Sequence, residues 1–202
     1  KIKQLIIITK NISYNPCKKN INRRLKKKIL IINFFLISVV DIQMKNLEFK
    51  KAFIAGIFSI FTIGSLTLLT YKTEFGLFLV ASFGSTMVLL FGYPESPFAQ
   101  PKNIFFGHLL TALVGVIFVN FIPLPVFITI PLAVGIGIFF MILFEVTHPP
   151  AGGNPIIVIL GSASFSYIIN PIIIGTIIVL VFGIILNRLI LNKEYPKKGF
   201  FI

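Results

Sequence analysis

Two histidines, one asparagine and a few hydroxyls and glycines are the residues here whose types and spacing could do chemistry. His148 opens the triplet His148-Pro149-Pro150, three residues after Glu145 and six before Asn154. His108 stands inside an apolar run over 104–121. Ionisable groups in such surroundings are costly to bury and tend to be kept for function. If a helix persists past Glu145, that carboxylate and His148 lie one turn apart, and with His108 they are candidates for gating or a proton relay. A plainer reading ends the helix at His148, because proline disfavours helical geometry in the residue before it. For His108 the plainer reading is a neutral imidazole hydrogen-bonded across helices.

A second group of residues points to solute binding. Asn154-Pro155 reads as a helix N-cap followed by proline at the first helical position. Ser85, a good N-cap type, occupies the matching place in the segment Gly84-Ser85-Thr86. Helix starts present unpaired N–H groups and the positive end of the dipole, which favour anions. Gly152 and Gly153 would let a small solute approach the backbone closely. Ser85, Thr86, His148, Gly152, Gly153 and Asn154 are therefore the expected contacts of a small inorganic anion. Glu95 and Gln100 either line the way in or belong to a loop held by prolines.

Other chemistries find little support. Two histidines and scattered acids show no HExxH or comparable ligand spacing, so no metal site is expected. Ser162, Ser164 and Ser166 lack a GxSxG elbow, and the one cysteine, Cys17, excludes an internal disulfide. The expectation is a protein without enzymatic activity or cofactor. An intramembrane enzyme built on Glu145 and His148 is a distant alternative, and a non-transporting subunit or scaffold is a nearer one.

The elements that must position these residues are membrane helices. The 202 residues are 56% hydrophobic and only 12% charged, with a mean hydropathy of +0.96. A soluble domain carries roughly a quarter of its residues charged, so the excess apolar surface must face lipid. Four runs, 53–70, 103–121, 126–145 and 171–191, approach the ~20 residues a bilayer requires. Gly135 and Gly137 in the third are expected packing positions. Segments 76–92 and 153–169 are shorter or more polar and read as broken, tilted or re-entrant. The fold class is all-α: a polytopic bundle of four full transmembrane helices plus two short broken segments.

The net charge of +13 invites a nucleic-acid reading, but its distribution opposes one. Ten of the nineteen Lys and Arg residues precede Met44. Of the rest, Lys45, Lys50 and Lys51 come before the first apolar run, and Arg188, Lys193, Lys197 and Lys198 close or follow the last. That is the layout of a multi-pass protein of the cell (inner) membrane with both termini cytoplasmic, not of a groove that tracks phosphates. Membrane lipid is the expected surroundings, and self-association would help so small a bundle enclose a path. Residues 1–43 read as a basic, disordered leader outside the native domain, 44–192 as the transmembrane domain and 193–202 as a short cytoplasmic tail.

The two broken segments resemble each other. Gly84-Ser85-Thr86-Met87-Val88-Leu89-Leu90-Phe91-Gly92 aligns without gaps on Gly153-Asn154-Pro155-Ile156-Ile157-Val158-Ile159-Leu160-Gly161. With one residue deleted, Gly107 and Gly115 then fall on Gly175 and Gly183. An internal two-fold repeat of this kind is common in transporters, with the substrate between the copies.

The connector Phe91-Gly92-Tyr93-Pro94-Glu95-Ser96-Pro97-Phe98-Ala99-Gln100-Pro101, the pair Gly107-His108, and His148-Pro149-Pro150 before two glycines resemble the HPP family of integral membrane proteins. The resemblance covers about residues 50–192. It implies four transmembrane helices. Some plastid and cyanobacterial members are implicated in nitrite transport, so it also implies a transporter with nitrite as the leading candidate.

Overall fold

The computed structural model describes residues 23–73 and 77–197, with side chains described at residue 32 and from residue 45 onward. The chain divides into two units, Lys1–Lys51 and Ala52–Ile202. Helix α1 is Arg23–Lys72. Residues 23–43, expected to be disordered, are thus helical: no glycine or proline falls anywhere from Arg23 to Ala55. The remainder of that leader lies outside the described residues. Every candidate site residue belongs to the second unit.

After α1 come α2 (Ala81–Met87), prolonged by the π-turn Val88–Gly92, and a connector with a 3-10 turn at Pro97–Ala99. Next are α3 (Pro101–Phe121), α4 (Val126–Leu143), the 3-10 turn Pro149–Gly153 and α5 (Asn154–Leu160). Helix α6 (Ile174–Ile184) is flanked by π-turns at Ile168–Ile173 and Ile185–Ile190. Among the described residues, four helical stretches are long and apolar enough to cross a membrane: Lys45–Lys72, Pro101–Phe121, Val126–Leu143 and Ile168–Ile190. Lipid offers backbone groups no partners, so helix is the form such runs must take. Polar side chains within them follow suit. On α1, the hydroxyls of Ser59, Thr62, Ser65, Thr67 and Thr70 each donate to the carbonyl four residues back.

Contacts between the segments fix their directions. The Phe58 and Phe91 rings meet, while the Thr70 hydroxyl accepts from the N–H groups of Phe78 and Leu79, so α2 runs back along α1. Asn103 donates to the Thr147 carbonyl and Asn120 to that of Ala163, so 147–163 runs alongside α3 in the same direction. Gly175 packs on Phe83 and Gly183 on Leu90, which makes α6 parallel to α2. Six passes result, alternating between a connector face (93–100, the end of α4, the residues after α6) and a far face (the loop 122–125). The two short helices are broken as expected, yet each runs alongside a long one instead of turning back. Helix α3 is central, with 44% of its most apolar window buried against 22% for α4 and 11% for the span of α1.

Helix ends re-aim the chain at the points that matter. Helix α4 closes with a Schellman motif: Val146 N–H reaches the Met141 carbonyl and Glu145 N–H that of Ile142, with Glu145 at φ 55. Helix α5 closes the same way on Ser162, at φ 47. On the connector face, Lys193 pairs with Glu95 at 3.3 Å, and the Tyr195 hydroxyl donates to the Ala99 carbonyl at 2.9 Å. Gln100 clamps the Pro94 and Ser96 carbonyls and accepts from Lys197 N–H, so it is a structural tie of the loop. The described part of the tail, 193–197, is thus strapped to the connector.

Candidate functional site

Six polar side chains meet in the interior on the connector-face side. Ser82 and Thr86 come from successive turns of α2, and His108 and Thr111 from successive turns of α3. Asn154 is the first residue of α5, and His148 belongs to the stretch that the α4 cap turns inward. Thr86, His108, Thr111, His148 and Asn154 are wholly buried, and Ser82 is 6% exposed. The Schellman turn at Glu145 is what separates the neighbours in sequence: it leaves Glu145 exposed and sends His148 into the bundle.

The hydrogen bonds form one chain. The Ser82 hydroxyl donates to Asn154 Oδ1 at 2.7 Å. Asn154 Nδ2 lies 3.0 Å from His108 Nδ1, 3.2 Å from the His108 carbonyl and 3.0 Å from the Thr111 hydroxyl. Both His108 Nε2 and His148 Nε2 stand 3.0 Å from Thr86 Oγ1. His148 Nδ1 ends the chain 2.7 Å from the Phe98 carbonyl.

The fixed partners decide the protons. A carbonyl only accepts, so His148 Nδ1 carries hydrogen toward Phe98, and in the neutral ring Nε2 is an acceptor. The His108 carbonyl likewise fixes the Asn154 amide with its nitrogen inward, so His108 Nδ1 must accept and Nε2 must donate. Thr86 therefore accepts from His108 and donates to His148. Every group from Ser82 to Phe98 donates in the same direction, with both imidazoles neutral.

Two glycines permit this closeness. A Cβ on Gly107 would lie 2.8 Å from His148 Cβ, and one on Gly115 would lie 2.9 Å from Pro155 Cα. The Phe83 ring meets His108 edge-on at 5.1 Å, and the two imidazole centroids are 5.0 Å apart.

Among the expected contacts, Thr86, His148 and Asn154 come together, and His108 joins them. Ser85 does not: it is exposed on α2, whose N-cap is Val80. Asn154 is not an N-cap either. Gly153 holds that position, and Asn154 turns its side chain back onto α3. Neither residue thus caps a helix as expected, and α5 has only seven residues. Gly152 and Gly153 are half-buried, with open space where a Cβ would stand. Glu145 is exposed and makes no side-chain contact with His148, because the helix ends two residues before it. Gly137 touches Thr111, while Gly135 meets nothing.

Sequence reasoning missed Ser82 and Thr111. Their spacing held a signal, for Ser82 lies four residues before Thr86 and Thr111 three after His108, one polar stripe on each helix.

Burial also marks Tyr195, beyond the last span, whose phenol is pushed up from its ordinary value.

A bundle of long apolar helices, with polar side chains gathered inside it, defines a polytopic helical membrane protein. The chain matches the HPP transmembrane region over residues 44–196 and belongs to that family. Two curated transmembrane proteins of Dictyostelium discoideum are similar. One is 32% identical over 125 residues, which is 58% of this chain and 44% of that protein. The other is 32% identical over 127 residues, 59% of this chain and 41% of its own length. The match thus spans less than half of either relative. No solved structure matches the chain.

Proposed function

We propose that this chain is a membrane transporter or channel for a small solute, a small inorganic anion such as nitrite, with its path through the polar cluster. One observation carries the reading: six side chains from α2, α3, α5 and the His148 stretch are gathered inside the bundle and hydrogen-bond to one another. Its other buried polar side chains, Thr62, Thr129, Thr176 and Asn187, bond instead to backbone carbonyls. Buried polar groups are costly, and apolar packing would hold helices together as well. Donors such as the His108 N–H and the Thr86 hydroxyl are what a small anion requires in place of water.

The arrangement of passes supports an inverted repeat. The first three run from the connector face to the far face and back again to it, and the last three run oppositely. Their glycines pack reciprocally. Gly107 meets His148 at the start of the fifth pass, as Gly175 meets Phe78 and Phe83 at the start of the second. Gly115 meets Pro155 and Val158, as Gly183 meets Leu90. Such halves, rocking about a site between them, would give alternating access. Lys102, Arg188, Lys193 and Lys197 belong to the connector face, against Lys72 among the described far-face residues. This excess of basic residues supports a cytoplasmic connector face by the positive-inside rule, in keeping with the expected cell (inner) membrane.

The second reading, a non-transporting subunit, is favoured by the complete pairing within the cluster, which suits a packing role. The deciding experiment is nitrite flux into proteoliposomes holding the full chain, beside His148→Gln and Asn154→Ala variants shown to be folded. Flux that disappears in the variants is the expected result. Absence of flux for nitrite, nitrate and formate in the parent would overturn the anion reading.

A further inference from the structure

We infer that each anion crosses together with one proton, taken up on His148, with Thr86 as the switch that makes room for it. This rests on the transport reading and adds its coupling.

The geometry leaves one vacancy for a proton. In the neutral chain the Thr86 hydroxyl points its hydrogen at His148 Nε2. A second acceptor stands beside it, the Ser82 carbonyl, 3.1 Å from Thr86 Oγ1. When a proton from water bonds to His148 Nε2, the hydroxyl keeps its own hydrogen and turns it to that carbonyl. Thr86 Oγ1 then accepts from both imidazoles, and His148 still donates to Phe98. No hydrogen bond is lost, and the charge rises by one. The reverse turn returns the proton to water on the other side. A second proton has no such place: on His108 Nδ1 it would face the Asn154 amide nitrogen, a donor against a donor at 3.0 Å.

Among the described residues of the bundle, nothing balances that added charge. Ala81–Gly92, Val126–Leu143 and Pro149–Leu160 contain no acidic or basic residue. Helix α3 offers only Lys102 in its first turn, and the sixth pass only Arg188 at its end. From Ala52 on, α1 has only Lys72, in its last turn. In the connector, Glu95 is joined to Lys193, and beyond α4 Glu145 is exposed. The remaining ionisable groups nearby are Glu194 and Lys197, both exposed on the strap, and the phenols of Tyr93, Tyr167 and Tyr195. An isolated cation at this depth is unfavourable, and so is an isolated anion. Each is the other's counter-charge, so uptake of one favours uptake of the other.

The test measures both charges at once. Proteoliposomes with the full chain receive nitrite or nitrate under an inward proton gradient. A trapped pH dye is followed while potassium and valinomycin clamp the voltage, and protein-free vesicles correct for permeation by nitrous acid. One proton per anion, at a rate indifferent to the clamped voltage, is expected. His148→Gln and Thr86→Val should lose the drive by the proton gradient, and Thr86→Ser, which keeps the hydroxyl, should retain it. Anion flux that carries current without acidifying the lumen would overturn the inference while leaving the transport reading intact. In detergent, adding nitrite should draw about one proton per chain from a weakly buffered solution. Uptake there without vesicle flux would keep the coupling and reject transport; neither signal would reject both.

Discussion

Gly107 lies so close to His148 that a single added methyl would come within 2.8 Å of the histidine's Cβ. Neither side can retreat easily, since His148 is held at Thr86 and Phe98 and the Val146 carbonyl stands 3.1 Å from the same point. Gly107→Ala should therefore destabilise the folded protein by about 1–3 kcal/mol, as overpacking does. Thermal unfolding in detergent would measure it, and an unchanged midpoint would mean that α3 can move away at little cost.

Thr86→Val keeps the shape and removes the shared hydroxyl. The His148 Nε2 acceptor and the His108 N–H then lose their partner inside the bundle. A cost of about 1–3 kcal/mol is expected from leaving buried polar groups unpaired. Thr86→Ser should cost clearly less. Equal stability of the valine and serine variants would show that the chain of hydrogen bonds contributes nothing net.

Glu145 occupies the left-handed position of a helix cap, where a side chain is strained and glycine is not. Glu145→Gly should raise stability by about 1 kcal/mol and leave anion flux unchanged, because the carboxylate lies outside the cluster. A large loss of flux in a stable variant would return Glu145 to the transport path.

Tyr195 gives a pH dependence on the alkaline side. Burial raises its phenol above the ordinary value near 10, so the unfolded chain gives up this proton first. Its contribution is complete below that ordinary value and is lost as pH rises beyond it, through the folded value. Hydrogen exchange in the connector should quicken in that alkaline range and do so earlier than in Tyr195→Phe. The phenylalanine variant should itself be about 1 kcal/mol less stable at neutral pH for want of the bond to Ala99. Identical alkaline profiles for the two would detach Tyr195 from the effect.

The passes were legible because long apolar runs leave the backbone little choice but helix. The site was only half legible. Thr86, His108, His148 and Asn154 could be singled out, but the link between the histidines runs through Thr86 on another helix, and no local pattern carries it. The misreadings have a common cause. Asn154-Pro155 has the composition of a helix start, yet the cap falls one residue earlier, because the asparagine is more strongly held by α3. Glu145 takes a left-handed position that a glycine usually announces, so the end of α4 falls earlier than the sequence suggests, and the expected pairing of Glu145 with His148 is lost. Ser85 came from the repeat alignment, while the actual contacts at Ser82 and Thr86 lie on either side of it.

Phe98 and Ala99 are consecutive, and their carbonyls hold different things: His148 on one, Tyr195 on the other. Two adjacent peptide planes, hinged at the Ala99 Cα, therefore link the residues after the last helix to the buried imidazole. The strap on the connector and His148 are thus held by neighbouring carbonyls of one short loop. Only two hydrogen bonds and one Cα therefore separate the C-terminal segment from the histidine.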